Sequence, residues 1–244
     1  RSNVYARARK RPGAPLVFTL LTTWAGACAY ARAEAGATAP GSVVRVEAAG
    51  GGFRLVRNGE AYHVRGVGGQ RRLETLAAMG GNSIRTWHID DAQRVLDDAH
   101  ENGLTVTMGI WIGHPRHGFD YADQAAIRDQ RTMVRAAVNA LTDHPALLMW
   151  GVGNEVELMS DPDLVFPELN TLAEIVKELD PDHPTMVIIA GGEPDKIRAF
   201  NEHCTSVDLL GVNSYAADIA SVPATLRAHG YDGPSLVTDF GPRG

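Results

Sequence analysis

The sequence predicts an α/β fold. Three observations carry it: strand-like and helix-like segments alternate without a break from about residue 61, each helical segment has one apolar face, and polar, aromatic and acidic residues gather where the predicted strands end. A regular strand-then-helix order is what a parallel sheet joined by crossover helices requires.

Residues 1–35 lie outside that pattern. Arg1, Arg7, Arg9, Lys10 and Arg11 precede an uncharged run from Pro12 to Ala31, and Ala29 to Ala31 and Ala33 to Ala35 are both Ala-x-Ala sites. This is the order of a secretory signal peptide, so a secreted or periplasmic protein is expected. A membrane anchor through residues 12–31 competes with it, because 20 uncharged residues approach the length that spans a bilayer. Thr19, Thr22, Thr23 and several Gly and Ala weaken that apolarity. A lipidated Cys28 is a third reading, set back by Ala25, where a larger aliphatic residue is usual. No stable membrane insertion is expected once the signal is cleaved.

Residues 36–42 (GATAPGS) read as a linker, leaving 43–244 as the domain. From Val43 short alternating segments are broken by Gly50 to Gly52 and by Asn58-Gly59, a strong hairpin signal since both turn residues tolerate positive φ. A small hairpin running into a first buried strand is expected. The predicted strands are 61–67, 83–88, 105–111, 147–153, 185–190, 207–213 and 234–239.

Between them Ala92, Val95, Leu96 and Ala99 keep i, i+3, i+4, i+7 spacing, with Gly103 placed for a left-handed cap. Ile127, Val134, Val138 and Leu141 stripe the next long helix, and Leu169, Leu172, Val176 and Leu179 the one after. His144 and His183 each stand in an Asp-His-Pro turn where a helix stops and a strand begins, which suits turn residues on the side away from chemistry.

At 244 residues, 44% hydrophobic and 21% charged, the chain has the make-up of a soluble globular protein, and one domain is the simplest count. A net charge of −6 speaks against a nucleic-acid partner, which calls for clustered Lys and Arg. Residues 1–35 hold six basic residues and one acid, so the remainder carries −11. Of the two cysteines, Cys28 falls in the presumed signal, leaving Cys204 without a disulfide partner and no Cys pair for a metal.

Seven strands fit either an open doubly wound sheet or a closed barrel. A barrel normally uses eight strands and about 250 residues, whereas 184 residues run from position 61 to the end. The alternatives are an open sheet or a barrel truncated after its seventh strand.

In such folds the C-terminal strand ends collect functional residues, because the loops there converge on one face. The second predicted strand ends in Arg85, Trp87 and His88, the third in Trp111 and His114, the fourth in Asn154 and Glu155. The sixth ends in Asn213 and Tyr215 and the seventh in Asp239. Two facing carboxylates can divide glycoside cleavage: one protonates the leaving oxygen, and the other attacks the anomeric carbon or activates water. Trp87 and Trp111 offer flat faces for a sugar ring, and Arg85 can hold a carboxylate ionised. A structural ion pair is the plain alternative for Arg85 with one acid.

On these residues, 43–244 resembles the barrel domain of clan A glycoside hydrolases, close to families 2 and 5. WGVGNE, ending in Asn154-Glu155, is similar to the Asn-Glu that carries the acid/base after the fourth strand, and Asp239 matches the nucleophile after the seventh by position. Arg85 and His88 are similar to the family 2 Arg-x-x-His, and Asn213 to Tyr215 (NSY) to the motif whose Tyr bonds the nucleophile. The resemblance implies a (β/α)8 TIM-type barrel, a carbohydrate substrate, no cofactor, and retaining hydrolysis or transglycosylation of a β-glycoside. Arg85, Trp87, His88, Trp111, His114, Asn154, Asn213 and Tyr215 are the expected substrate-binding residues.

Two departures stand out. Asp239 is one methylene shorter than Glu, which draws the carboxylate back by ~1.5 Å, and a misplacement near 1 Å can cost on the order of a hundredfold. The chain also reaches its end soon after the seventh strand, so a fragment of a longer protein is expected, with free edges at the first and last strands. The rival is a catalytically impaired carbohydrate-binding pseudoenzyme. A metal hydrolase is disfavoured because the first strand offers only His63, and Gly66, Gly68 and Gly69 do not complete a nucleotide loop.

Overall fold

The computed structural model describes residues 41–215 and 219–241. The expected signal, with Cys28 and most of the linker, lies outside the described residues.

Among the described residues three strands come first: β1 (Val44–Ala49), β2 (Gly52–Arg57) and β3 (Glu60–Tyr62) form an antiparallel sheet in chain order. Its second turn is Asn58-Gly59, with φ of 52° and 83°, the two positive values such a tight turn needs. The expected hairpin is thus a three-stranded meander.

A seven-stranded parallel sheet follows, also in chain order. It is built from β4 (Gly66–Gly68), β5 (Ser83–Arg85), β6 (Thr105–Ile110), β7 (Leu147–Val152), β8 (Thr185–Ala190), β9 (Leu209–Ser214) and β10 (Ser235–Phe240). The intervening helices are α1 (Leu73–Ala78), α2 (Ala92–Glu101), α3 (Gln124–Leu141), α4 (Pro162–Leu179), α5 (Pro194–His203) and α6 (Val222–Ala228). The apolar stripes read from the sequence face the sheet: Val95, Leu96, Val134, Val138, Leu169, Leu172 and Val176 are all buried in one core.

The predicted strand 61–67 is two strands. Asn82 divides it, because its side chain accepts the Arg65 N–H at 2.7 Å and donates to the His63 carbonyl at 2.8 Å. Residues 60–62 stay with β2, while 66–68 pair in parallel with β5. β4 is exposed along its length, contrary to the buried strand expected, since among the described residues it pairs on one side only. Gly66 and Gly68 belong to that strand.

The sheet is curled. In a flat sheet five strand spacings would set β5 and β10 about 24 Å apart, yet Arg85 of β5 touches Asp239 of β10 at 2.6 Å. This settles the choice between open sheet and barrel: the seven strands form a nearly closed (β/α) barrel. β4 and β10 face one another across a cavity of about 240 Å³ that reaches Arg85 and Asp239.

Two clusters cover the two faces of the curled sheet. One lies between sheet and helices. The other joins Leu148, Met149, Met186, Ile188 and Leu209 to Val44, Val46, Leu55 and Tyr62, so that the antiparallel sheet packs on the barrel. His183 lies before β8, joined at 2.9 Å both to Ser42 and to Asp180, which also accepts the Trp150 indole N–H at 2.7 Å. His144 accepts the Ala146 N–H and meets Asp97 at 3.1 Å. Both histidines serve the turns that hold them.

Candidate active site

The opposite ends of the strands hold the polar residues. β7 is buried along all six residues, as a central strand with cover on both faces should be. Beyond it the chain turns sharply, with Gly153 at φ 72°, Glu155 at 54° and Met159 at 62°. Glu155 donates its N–H to the Ile188 carbonyl at 2.9 Å. A left-handed non-glycine residue costs roughly 1–2 kcal/mol, so Glu155 is held in a conformation that its neighbours must enforce.

Asp239 arrives from β10 through an irregularity. Val237 pairs with Val212 but Asp239 pairs with Asn213, leaving Thr238 as an extra residue. Such a bulge bends the strand and re-aims the side chains beside it.

Three side chains, Arg85, Asn154 and Asn213, then link the two acids, and Trp87 and Thr238 brace them. Asp239 Oδ2 accepts from Arg85 Nη1 at 2.6 Å and from the Trp87 indole at 3.2 Å. Arg85 Nη2 donates to Asn154 Oδ1 at 2.6 Å. Asn213 Nδ2 donates to the same Asn154 oxygen at 3.1 Å and to Glu155 Oε1 at 2.7 Å. Thr238 fixes that amide from behind, its hydroxyl donating to Asn213 Oδ1 at 2.7 Å. A guanidinium whose two arms bridge two acceptors is pre-organised in a way that an ammonium is not.

The remaining expected residues divide. Trp87 lies against Arg85, 5.4 Å from ring centre to guanidinium carbon, and a side chain at Gly68 would meet its ring at 2.9 Å. Tyr215 is exposed at the rim, and burial followed by the charges of Asp239 and Glu155 pushes its phenol above the ordinary value, which places it near both acids. Trp111 stacks on His117 at 6.0 Å. His88 stands at the surface 3.3 Å from Asp90, outside the network.

His114 is buried, its Nε2 against the Glu155 carbonyl at 2.8 Å and its Nδ1 accepting the Arg116 N–H at 3.2 Å. Its ring nitrogens hold loops. Burial, aided by the Arg116 charge, pushes this imidazole below its ordinary value.

Sequence reasoning missed Thr238, and it missed the buried Glu157, whose Oε1 stands 3.3 Å from Lys196 Nζ. Thr238 gives no signal, because its role comes from a bulge. Glu157 does give one, as a second acid two residues past Glu155 at a strand end.

Comparison with known proteins agrees with this architecture. Residues 70–227 match the family described as glycosyl hydrolases family 2, TIM barrel domain. A beta-glucuronidase of Paenibacillus borealis is 23% identical over 192 residues, covering 67% of this chain and 30% of that protein. A beta-galactosidase of Bacteroides ovatus is 27% identical over 217 residues, covering 74% of this chain and 24% of its own. Among solved structures, a beta-D-glucuronidase of Dictyoglomus thermophilum shares the fold at a TM-score of 0.61 and 19% identity, covering 82% of this chain and 39% of that one. The chain thus spans a third or less of the length of these two curated relatives.

Proposed function

This chain belongs to glycosyl hydrolase family 2, and on that premise we propose that its strand ends cleave a β-glycosidic bond with two carboxylates. The observation that carries the reading is the continuous set of hydrogen bonds from Asp239 through Arg85, Asn154 and Asn213 to Glu155. It fixes two acids from different strands about one cleft, beside an indole face and the Tyr215 hydroxyl.

Glu155 protonates the leaving oxygen while Asp239 attacks the anomeric carbon, and the covalent sugar is then released by water that Glu155 deprotonates. Arg85 and Trp87 orient Asp239, and Asn213 orients Glu155. Trp87 and Trp111 line the ring's path, and Asn154 is left an amide for a sugar hydroxyl. The names of the relatives make β-glucuronides and β-galactosides the first substrates to try.

The test is hydrolysis of aryl β-glycosides by three proteins. Glu155→Gln should lose turnover by about 10²–10⁴-fold, the usual contribution of a general acid, while Asp239→Glu should gain by ten or more. The second reading, a carbohydrate-binding protein with impaired turnover, draws on the shorter reach of Asp239. Sugar binding without turnover in wild type and in Asp239→Glu alike would favour it.

A further inference from the structure

Behind the turn that carries Glu155, a third carboxylate is sealed from solvent. The Glu157 side chain is 2% exposed and its Oε1 stands 3.3 Å from Lys196 Nζ. The same oxygen accepts the Ala190 N–H at 2.8 Å. Among the described residues Oε2 has no hydrogen-bond partner, although it is buried. Lys196, from the first turn of α5, also donates to the Ala190 carbonyl and reaches Glu193 Oε2 at 3.1 Å. Both peptide groups of Ala190, the last residue of β8, are therefore gripped, one by Glu157 and one by Lys196.

Stability does not account for this arrangement. Taking a carboxylate out of water is costly, and replacing a buried ion pair by apolar residues is often neutral or favourable. Burial indeed pushes the Glu157 carboxyl above its ordinary value, against the lowering effect of the Ala190 N–H and Lys196. What the pair does supply is position. Ala190 is the register partner of Asn213, the residue that donates to Glu155. The turn between Gly153 and Met159 holds three left-handed residues, and strained backbone of this kind persists only where its surroundings over-determine it.

We propose that Glu157 and Lys196 form a positioning clamp that holds the strained turn bearing Glu155 against the end of β8. Neither side chain touches substrate. The clamp's catalytic consequence rests on the reading of Glu155 as acid/base, so its test has one arm that does not depend on turnover.

That arm is backbone hydrogen exchange in the full chain, for wild type, Glu157→Leu, Glu157→Gln and Lys196→Met. Exchange across 153–160 and at Ala190 should quicken tenfold or more in Glu157→Leu and Lys196→Met, with α2 unchanged. Glu157→Gln, which keeps an acceptor for Ala190, should fall between these and wild type. Should Glu157→Leu not fold, Lys196→Met on its partly exposed side chain carries the same comparison.

The second arm is turnover of an aryl β-glycoside, where kcat should drop at least tenfold with KM within twofold. Unchanged exchange at 153–160 in both variants, or a loss confined to KM, overturns the clamp. Absence of turnover in wild type would instead strike the functional reading, and exchange alone would then decide the clamp.

Discussion

Glu155 and Asp239 reach one cleft from strands of opposite kind. β7 lies in the middle of the parallel sheet with every residue buried, and the turn after it is tied down by His114, Ile188, Asn213 and the Glu157 clamp. β10 is an edge strand among the described residues, partly or fully exposed along its length, and Asp239 is steadied by side chains from the opposite end of the curled sheet, Arg85 and Trp87. One acid is thus held by its own surroundings and the other by a single long-range contact set. The lesson is that the barrel's curl, more than any local structure of β10, places the second acid.

The largest effect should therefore come from cutting that long-range contact. Arg85 and Asp239 have side chains 8% and 12% exposed, so the pair is largely buried. Arg85→Met would leave a carboxylate without its cation, a change that typically costs about 3–5 kcal/mol. Arg85→Lys keeps the charge but cannot bridge Asp239 and Asn154 together, and should recover only part of the loss. Urea unfolding of the three proteins measures this. Equal stability in all three would mean that β10 is held by something other than Arg85, and the contrast with β7 would fail.

A smaller effect is expected where β7 meets the other end of the barrel. Burial alone would raise the Asp180 carboxyl, but hydrogen bonds from His183 and Trp150 outweigh it and hold the group below its ordinary value. A carboxyl depressed on folding adds stability above its unfolded value, about 3.9, and that stability is lost as pH falls through the folded value. Asp180→Asn should cost about 1–3 kcal/mol at neutral pH. The gap to wild type should close as the solution is taken below about pH 4. A gap that stays constant with pH would show that the charge of Asp180 plays no part in anchoring the central strands.

Much of this was legible in the sequence, and the contrast between strands explains what was not. β5 to β10 could be read because apolar periodicity and strand-end chemistry are local properties. Arg85, Asn154, Glu155 and Asp239 announced themselves as polar residues toward the ends of apolar, strand-like segments. The division of 61–67 was hidden because its cause, Asn82, acts from the loop just before β5. Thr238 was hidden because a bulge depends on register with β9. Lys196 could not be paired with Glu157 from the chain alone, since 39 positions separate them and only the β8 end brings them together. The protein partners of Arg85 and His114 were hidden for the same reason, since Asp239, Asn154 and Glu155 reach them only through the curl of the sheet and its loops.

The smallest effect is expected at the exposed edge itself. Val67 in β4 is 49% exposed, facing the gap toward β10. Threonine has nearly the shape of valine, and its hydroxyl at this position would meet solvent, so no buried polar group is created. Val67→Thr should accordingly change stability by no more than about 0.5 kcal/mol, the usual range at unburied sites. The same exchange in a strand buried on both faces would strand a hydroxyl at a cost of roughly 1–3 kcal/mol. A loss of that size at Val67, measured by the same unfolding experiment, would mean that the edge is covered in solution and that β4 and β10 are not the loosely held side of the barrel.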